Sequence, residues 1–268
     1  MCIRDRYIYG FNPLNNFYTY QFVDKQIPSD FEYNFSDFST ENLISNQFST
    51  IPSSFINENS SSLILFGYQN LENLENDIDQ TIWSFGFGQN ILQSNYEYPV
   101  NEQFFAFSHE VTIGNYRSQG FNLPPMVIEI PNWSIDFSFE NNEVSLSKSG
   151  SGFTNGEIYF EGGFEEGIPY VWNIVFNGNR DNVILPQLPG EIQNFDFNNQ
   201  LITNNLQLNR VSLLKYDNIN TYSSFLTSII AQNTFFNKSA PRFESIFKSV
   251  NGGYQTFSSA SRDFLFNQ

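Results

Sequence analysis

Polar and apolar positions alternate with a period of two along most of this chain. The clearest run is Trp133-Ser134-Ile135-Asp136-Phe137-Ser138-Phe139-Glu140, in which Trp133, Ile135, Phe137 and Phe139 share one face. Asn141-Asn142 follows, and asparagine tolerates the left-handed backbone that a tight hairpin needs. Val144 and Leu146 then resume the alternation, so the pattern predicts a β-hairpin with one wet face, as in antiparallel sheets. Similar short runs occur at Tyr18/Tyr20/Phe22, Phe31/Tyr33/Phe35, Ile128/Ile130 before Pro131, and Ile158/Phe160 before Gly162-Gly163. Leu206 and Leu208 lead to Val211 and Leu213 with a shift of phase that a β-bulge explains.

Short strands separated by Gly, Pro and Asn predict an all-β chain of one or two antiparallel, Ig-like β-sandwich domains rather than parallel α/β units. One segment departs from period two. Tyr222, Phe225, Leu226, Ile229 and Ile230 follow helical spacing behind Asn220-Thr221, a cap, which predicts one short amphipathic helix near 220–232. The organisation that follows is a β domain over 7–123, a boundary at Leu123-Pro124-Pro125, a β-sandwich with helix over 126–232, and a partly ordered tail over 233–268. Ile82-Trp83-Ser84-Phe85-Gly86-Phe87 also resembles Val171-Trp172-Asn173-Ile174-Val175-Phe176, at a spacing near that of sandwich domains. An aromatic-rich chain produces such matches by chance, the reading favoured here. Were the repeat real, Trp83 and Trp172 would be equivalent core positions in tandem domains.

Met1-Cys2-Ile3-Arg4-Asp5-Arg6 reads as the translation of a transposon-end adapter used in sequencing libraries, so 1–6 are set aside and the chain is expected to be a fragment that begins upstream. With them go Cys2, the only cysteine, and one acidic and two basic side chains, so the formal charge moves from −16 to −17. One histidine and one cysteine exclude a His/Cys zinc site, a disulfide framework and an iron–sulfur cluster. The charge argues against nucleic acid and anionic membranes as partners. Aromatics at 18% argue against a disordered acidic chain, and no apolar run reaches a membrane span.

The strand Tyr170-Val171-Trp172-Asn173-Ile174-Val175-Phe176, followed by Val183-Ile184-Leu185-Pro186-Gln187-Leu188-Pro189, resembles the C-terminal β-rich regions of secreted or lipid-anchored surface proteins of Bacteroidetes-type bacteria, over about residues 126–215. The resemblance implies a location outside the inner membrane, often with a lipidated cysteine upstream, and carries over no residue roles.

Candidate chemistry is sparse. Ser108-His109-Glu110 holds the only histidine, but alternation turns Ser108 and Glu110 away from it, so this Ser cannot be presented to this imidazole. Glu157, Glu161, Glu165 and Glu166 supply carboxylates, read as a solvated hairpin and its loop rather than a glycosidase pair. Asp77, Asp79 and Asp181, with their neighbouring asparagines, are the candidate calcium ligands in loop settings; neither group has EF-hand spacing. Tyr96 and Tyr98, beside Pro99, are the aromatics expected to be exposed for a glycan. No nucleotide loop is present: Gly86-Phe87-Gly88 lacks the third glycine. The sequence therefore points to a non-catalytic exported or cell-surface module of the bacterial envelope, with a polysaccharide or envelope protein as partner. The alternative is a carbohydrate-active hydrolase or its accessory domain.

Overall fold

The computed structural model describes residues 6–12, 17–23, 34–51, 61–76, 78–87, 95–162, 170–186, 207–231 and 242–250. They are mostly strand, with a large antiparallel sheet and few helical turns. They divide into two compact units. The first holds those up to residue 112 together with 119–130, and the second holds 113–118 and those from 131 onward.

The first unit opens with β1 (Arg6–Asn12) and β2 (Phe17–Val23), an antiparallel pair. Their tyrosines pack into an aromatic layer in which Tyr9 stacks on Tyr18 and the Tyr7 and Tyr18 hydroxyls share a 2.8 Å hydrogen bond. Burial pushes the Tyr7 phenol up to about 12. Phe35, expected in a strand, instead opens a 3-10 turn (Phe35–Asp37), and Phe31 and Tyr33 lie outside the described residues. There follow β3 (Leu43–Ile51), β4 (Ser61–Tyr68), β5 (Gln80–Phe87), β6 (Asn95–Asn101), β7 (Ala106–Ile113), β8 (Tyr116–Phe121), whose first three residues belong to the second unit, and β9 (Val127–Glu129). Strands β6, β3 and β9 form one row, and β5, β4, β7 and β8 form another. Between β4 and β5 lies one helical turn, α1 (Leu71–Glu75), capped by the Asn70 side chain accepting from the Asn73 amide. The sequence pattern gave no sign of it because none of its residues is buried.

The second unit contains β10 (Ser134–Glu140), β11 (Glu143–Ser149), β12 (Asn155–Gly162), β13 (Tyr170–Asn177), β14 (Asn182–Ile184), β15 (Gln207–Tyr216) and β16 (Arg242–Ser249). The predicted hairpin is present: Glu140 pairs with Glu143 across Asn141 (φ 52°) and Asn142 (φ 63°), both left-handed as a type I′ turn requires. Trp133 and Ile135 are buried while Asp136, Ser138 and Glu140 are exposed. The predicted bulge is present too. Tyr159 pairs with Arg210 but Phe160 with Leu208, so Asn209 is the extra residue and Leu208, Val211 and Leu213 all stay buried. Leu206 lies outside the described residues.

Within this unit β10, β11 and β14 form one row, and β13, β12, β15 and β16 the other. The run β11 to β16 thus repeats the plan of β3 to β8. The first and fourth strands pair in the small row, and the second, third, fifth and sixth take the same order in the larger one. Trp83 on β5 and Trp172 on β13 fall on equivalent outer strands, opposite Leu65 and Phe160, both fully buried. The plan therefore favours repetition over coincidence for the two tryptophan segments.

The segment at 222–230 is helical but mixed. Thr221 caps α2 (Tyr222–Phe225), its hydroxyl accepting from the Ser224 amide at 3.1 Å, and the chain continues as a π-helical turn, Leu226–Ile230. The wider winding keeps Phe225 and Ile229 in the core with Leu214, Tyr216, Ile219 and Phe243, and leaves Leu226 and Ile230 exposed. Strand β16 falls inside the stretch read as a tail. Residues Phe243 to Phe247 are buried without a break, so no wet face was there to betray a strand.

Candidate ligand cleft

Three connections of the second unit border one cleft of about 490 Å³. That volume lies in the range of small-molecule sites, roughly 300–1,000 Å³. The approach to β12 contributes Phe153, held edge-on against Trp133 at 5.7 Å, with Trp133 itself fixed by its indole N–H donating to the Ser151 carbonyl at 2.7 Å. Gly178 passes so close beneath Phe153 that a Cβ there would come within 2.9 Å of the ring. The ring is therefore positioned from two sides.

The opposite wall is Tyr222, at the first turn of α2. Its hydroxyl donates to the Val175 carbonyl at 3.1 Å and its ring stacks on Phe225 at 6.1 Å. Asn177 and Asn179 border the cleft at the end of β13, where the Asn179 amide N–H donates to Asn177 Oδ1 at 3.0 Å. That bond leaves the Asn177 NH₂ with its two donors. Asn220 enters from the α2 side, and the Asn179 and Asn220 side chains make no hydrogen bond among the described residues. Among the described residues no charged side chain lines the cleft.

The residues singled out in the sequence lie elsewhere. Tyr98 was expected to be exposed and is instead 1% exposed. It packs against Phe48 at 5.9 Å and Trp83 at 6.0 Å, with burial raising its phenol. Tyr96 is half-buried with its ring 4.9 Å from Phe48. The reason is register: Tyr96 pairs with Phe48 and Tyr98 with Asn46, so both rings follow Phe48 onto the covered face of β6.

Asp77 lies outside the described residues, and Asp79 is half-buried just before β5. Asp181 is exposed and faces Lys148 Nζ at 3.4 Å. That ammonium also donates to the carbonyls of Gly178, at 2.7 Å, and Arg180. Of the candidate calcium ligands, Asp181 thus faces the chain's own lysine. Among the described residues no three His, Cys, Asp or Glu side chains cluster for a metal.

His109 is buried with Nδ1 2.8 Å from the Asn122 carbonyl, while Ser108, on the other face, lies 3.3 Å from the Tyr68 hydroxyl. Glu157 accepts from Asn173, and Glu161 accepts from Asn209 at 2.8 Å. Four residues apart on one strand, their Cα atoms are about 13 Å apart. Glu165 and Glu166 lie outside the described residues. The electrostatically perturbed groups were not legible in the sequence. Glu244 on β16 is buried beside Tyr116 (3.4 Å) and Lys215 (4.0 Å), and desolvation raises its carboxyl. Arg210 lies over the Tyr159 ring at 4.9 Å, and burial lowers its guanidinium to about 10. Only β-sheet register brings these residues together.

No family model, no curated protein and no solved structure matches the chain.

Proposed function

We propose that this chain is a non-catalytic module of the bacterial envelope, exported or displayed at the cell surface, built on Ig-like β-sandwiches. The strand order supports the sandwich reading. Each unit has a three-strand row and a larger row visited in alternation by the chain, and in the second unit β10 packs on β15 and β16 and bonds to β16 through Asp136 and Lys248 at 2.7 Å. The envelope reading rests on the resemblance carried by Trp172 and the Leu-Pro segment after it, and on the acidic charge.

One observation carries the absence of catalysis as a proposal. The candidate groups that fall among the described residues are each engaged in hydrogen bonds: Ser108 with Tyr68, His109 with the Asn122 carbonyl, and Glu157 and Glu161 with asparagines. General acid–base pairs need carboxyls about 5–10 Å apart, and these two do not converge. Incubation with polysaccharide, ester and peptide substrates is expected to give no turnover. A hydrolytic activity lost in His109→Ala or Glu157→Gln would overturn the proposal. Sequencing the source DNA upstream of residue 7 tests the location, because an exported protein shows a signal segment there.

A second reading, an accessory domain of a carbohydrate-active hydrolase, is favoured by one feature. The cleft between Phe153 and Tyr222 has the amide and aromatic lining of a recognition site rather than a reaction site.

A further inference from the structure

We infer that the cleft bordered by Phe153, Tyr222 and the amides of Asn177, Asn179 and Asn220 binds a neutral saccharide. The inference deepens the reading of the chain as a non-catalytic module and rests on it.

The argument is chemical. A sugar presents two kinds of surface, a ring face of C–H groups and a rim of hydroxyls that both donate and accept. The cleft supplies the counterpart of each. Phe153 and Tyr222 border the cleft, and both are fixed before any ligand arrives, Phe153 by Trp133 and Gly178 and Tyr222 by the Val175 carbonyl. A ring held in place loses little conformational freedom when a ligand stacks on it. The carboxamides of Asn179 and Asn220 each carry two donors and an acceptor that no described group uses, and the Asn177 NH₂ adds its donors. An amide that donates and accepts at once matches a hydroxyl that does the same.

Charge decides between ligand classes. Among the described residues no charged group lines the cleft, so a phosphate, sulfate or uronate finds no cation in that lining, on a chain whose formal charge of −16 already repels it. A cationic ligand finds no carboxylate in the lining. A neutral polyhydroxylated ligand meets neither obstacle, and its affinity should be almost independent of salt.

The test uses the full chain and calorimetric titration with cello-, xylo-, manno- and laminari-hexaose, and with an alginate oligosaccharide as the charged control. The expected result is that at least one neutral hexaose binds and the alginate does not. Asn220→Ala and Asn179→Ala, at exposed positions, are each expected to weaken binding by about tenfold, the loss of roughly one hydrogen-bonding partner. Tyr222→Ala is expected to abolish binding; because Tyr222 also packs on the core, its fold is checked by circular dichroism, and the two asparagine variants carry the test if it unfolds. No binding of any neutral hexaose, or binding that all three variants leave unchanged, overturns the saccharide site and leaves the module reading standing. Release of reducing ends during titration overturns the module reading instead. The two failures are thus told apart.

Discussion

Replacing Gly156 with alanine should unseat Phe176. The two residues pair across β12 and β13, and Phe176 folds its ring over the glycine, so a Cβ there would lie 2.1 Å from the ring's Cζ. Ordinary van der Waals contact begins about 1.3 Å farther out, and Phe176, only 5% exposed, has no free space into which to retreat. Overpacking of this kind costs about 1–3 kcal/mol, and a displacement this large belongs at the upper end. Against it stands a gain of about 0.4–1 kcal/mol from the reduced freedom of the unfolded chain. The net expectation is a loss of about 2 kcal/mol, or about 4–8 °C in melting temperature. Urea unfolding followed by tryptophan fluorescence measures it. Gly86→Ala serves as the control: its Cβ would meet nothing nearer than the Ser61 carbonyl at 3.9 Å, so it should be neutral or slightly stabilising. Phe176→Leu should recover part of the loss in the Gly156→Ala background. Equal midpoints for the Gly156 and Gly86 variants would refute the packing argument, because the effect would then be a general one of glycine.

Two further outcomes follow from the charged groups. Burial raises Glu244 above its ordinary 4.5, so the folded state holds that proton more tightly than the unfolded chain; its contribution is present below 4.5 and is lost as pH rises through the raised value. Glu244→Gln should remove that slope, giving flatter urea midpoints between about pH 4 and about pH 8 and stability at least equal to the parent at the upper end; an unchanged slope would exclude Glu244 as its source. Lys148→Met leaves the Gly178 and Arg180 carbonyls without their donor and should cost about 1–3 kcal/mol in the same assay. Because Asp181 faces the Lys148 ammonium at 3.4 Å and no cluster of three ligating side chains includes it among the described residues, calcium should raise the parent's melting temperature no more than magnesium does, and a calcium-specific rise would overturn that reading.

Legibility in the sequence followed the physics of one-sided burial. Where one face of a strand is wet, as at Ser134 to Glu140, alternation named the strand, its turn and its faces. The bulge at Asn209 could be read because it shifts the phase of an otherwise regular apolar series. Where both faces are covered, the signal vanishes, and β16 was taken for tail. Tyr98 failed differently. A proline next in sequence suggested exposure, but burial was decided by pairing with β3, a partner that no local pattern identifies. The cleft was invisible for the same reason, since Phe153, Asn177 and Asn220 are far apart in the chain and meet only through the fold. The preference for asparagine and aromatics in a sugar site was legible as a type of chemistry, but not its position.

The repeated strand plan gives the cleft a design rule. In the first run, β3 to β8, the connection between the fifth and sixth strands of the plan is a two-residue turn, Gly114-Asn115, with Gly114 left-handed at φ 58°. In the second, the corresponding link spans residues 217–241 and carries α2 with Tyr222 and Asn220. The first run has a plain turn at this point and the second carries a longer link that forms one side of the cleft. The saccharide site proposed above therefore depends on this longer link as well as on Phe153, Asn177 and Asn179. The same framework could lose it by shortening one loop, or gain a different specificity by exchanging that loop, without disturbing the strand order beneath.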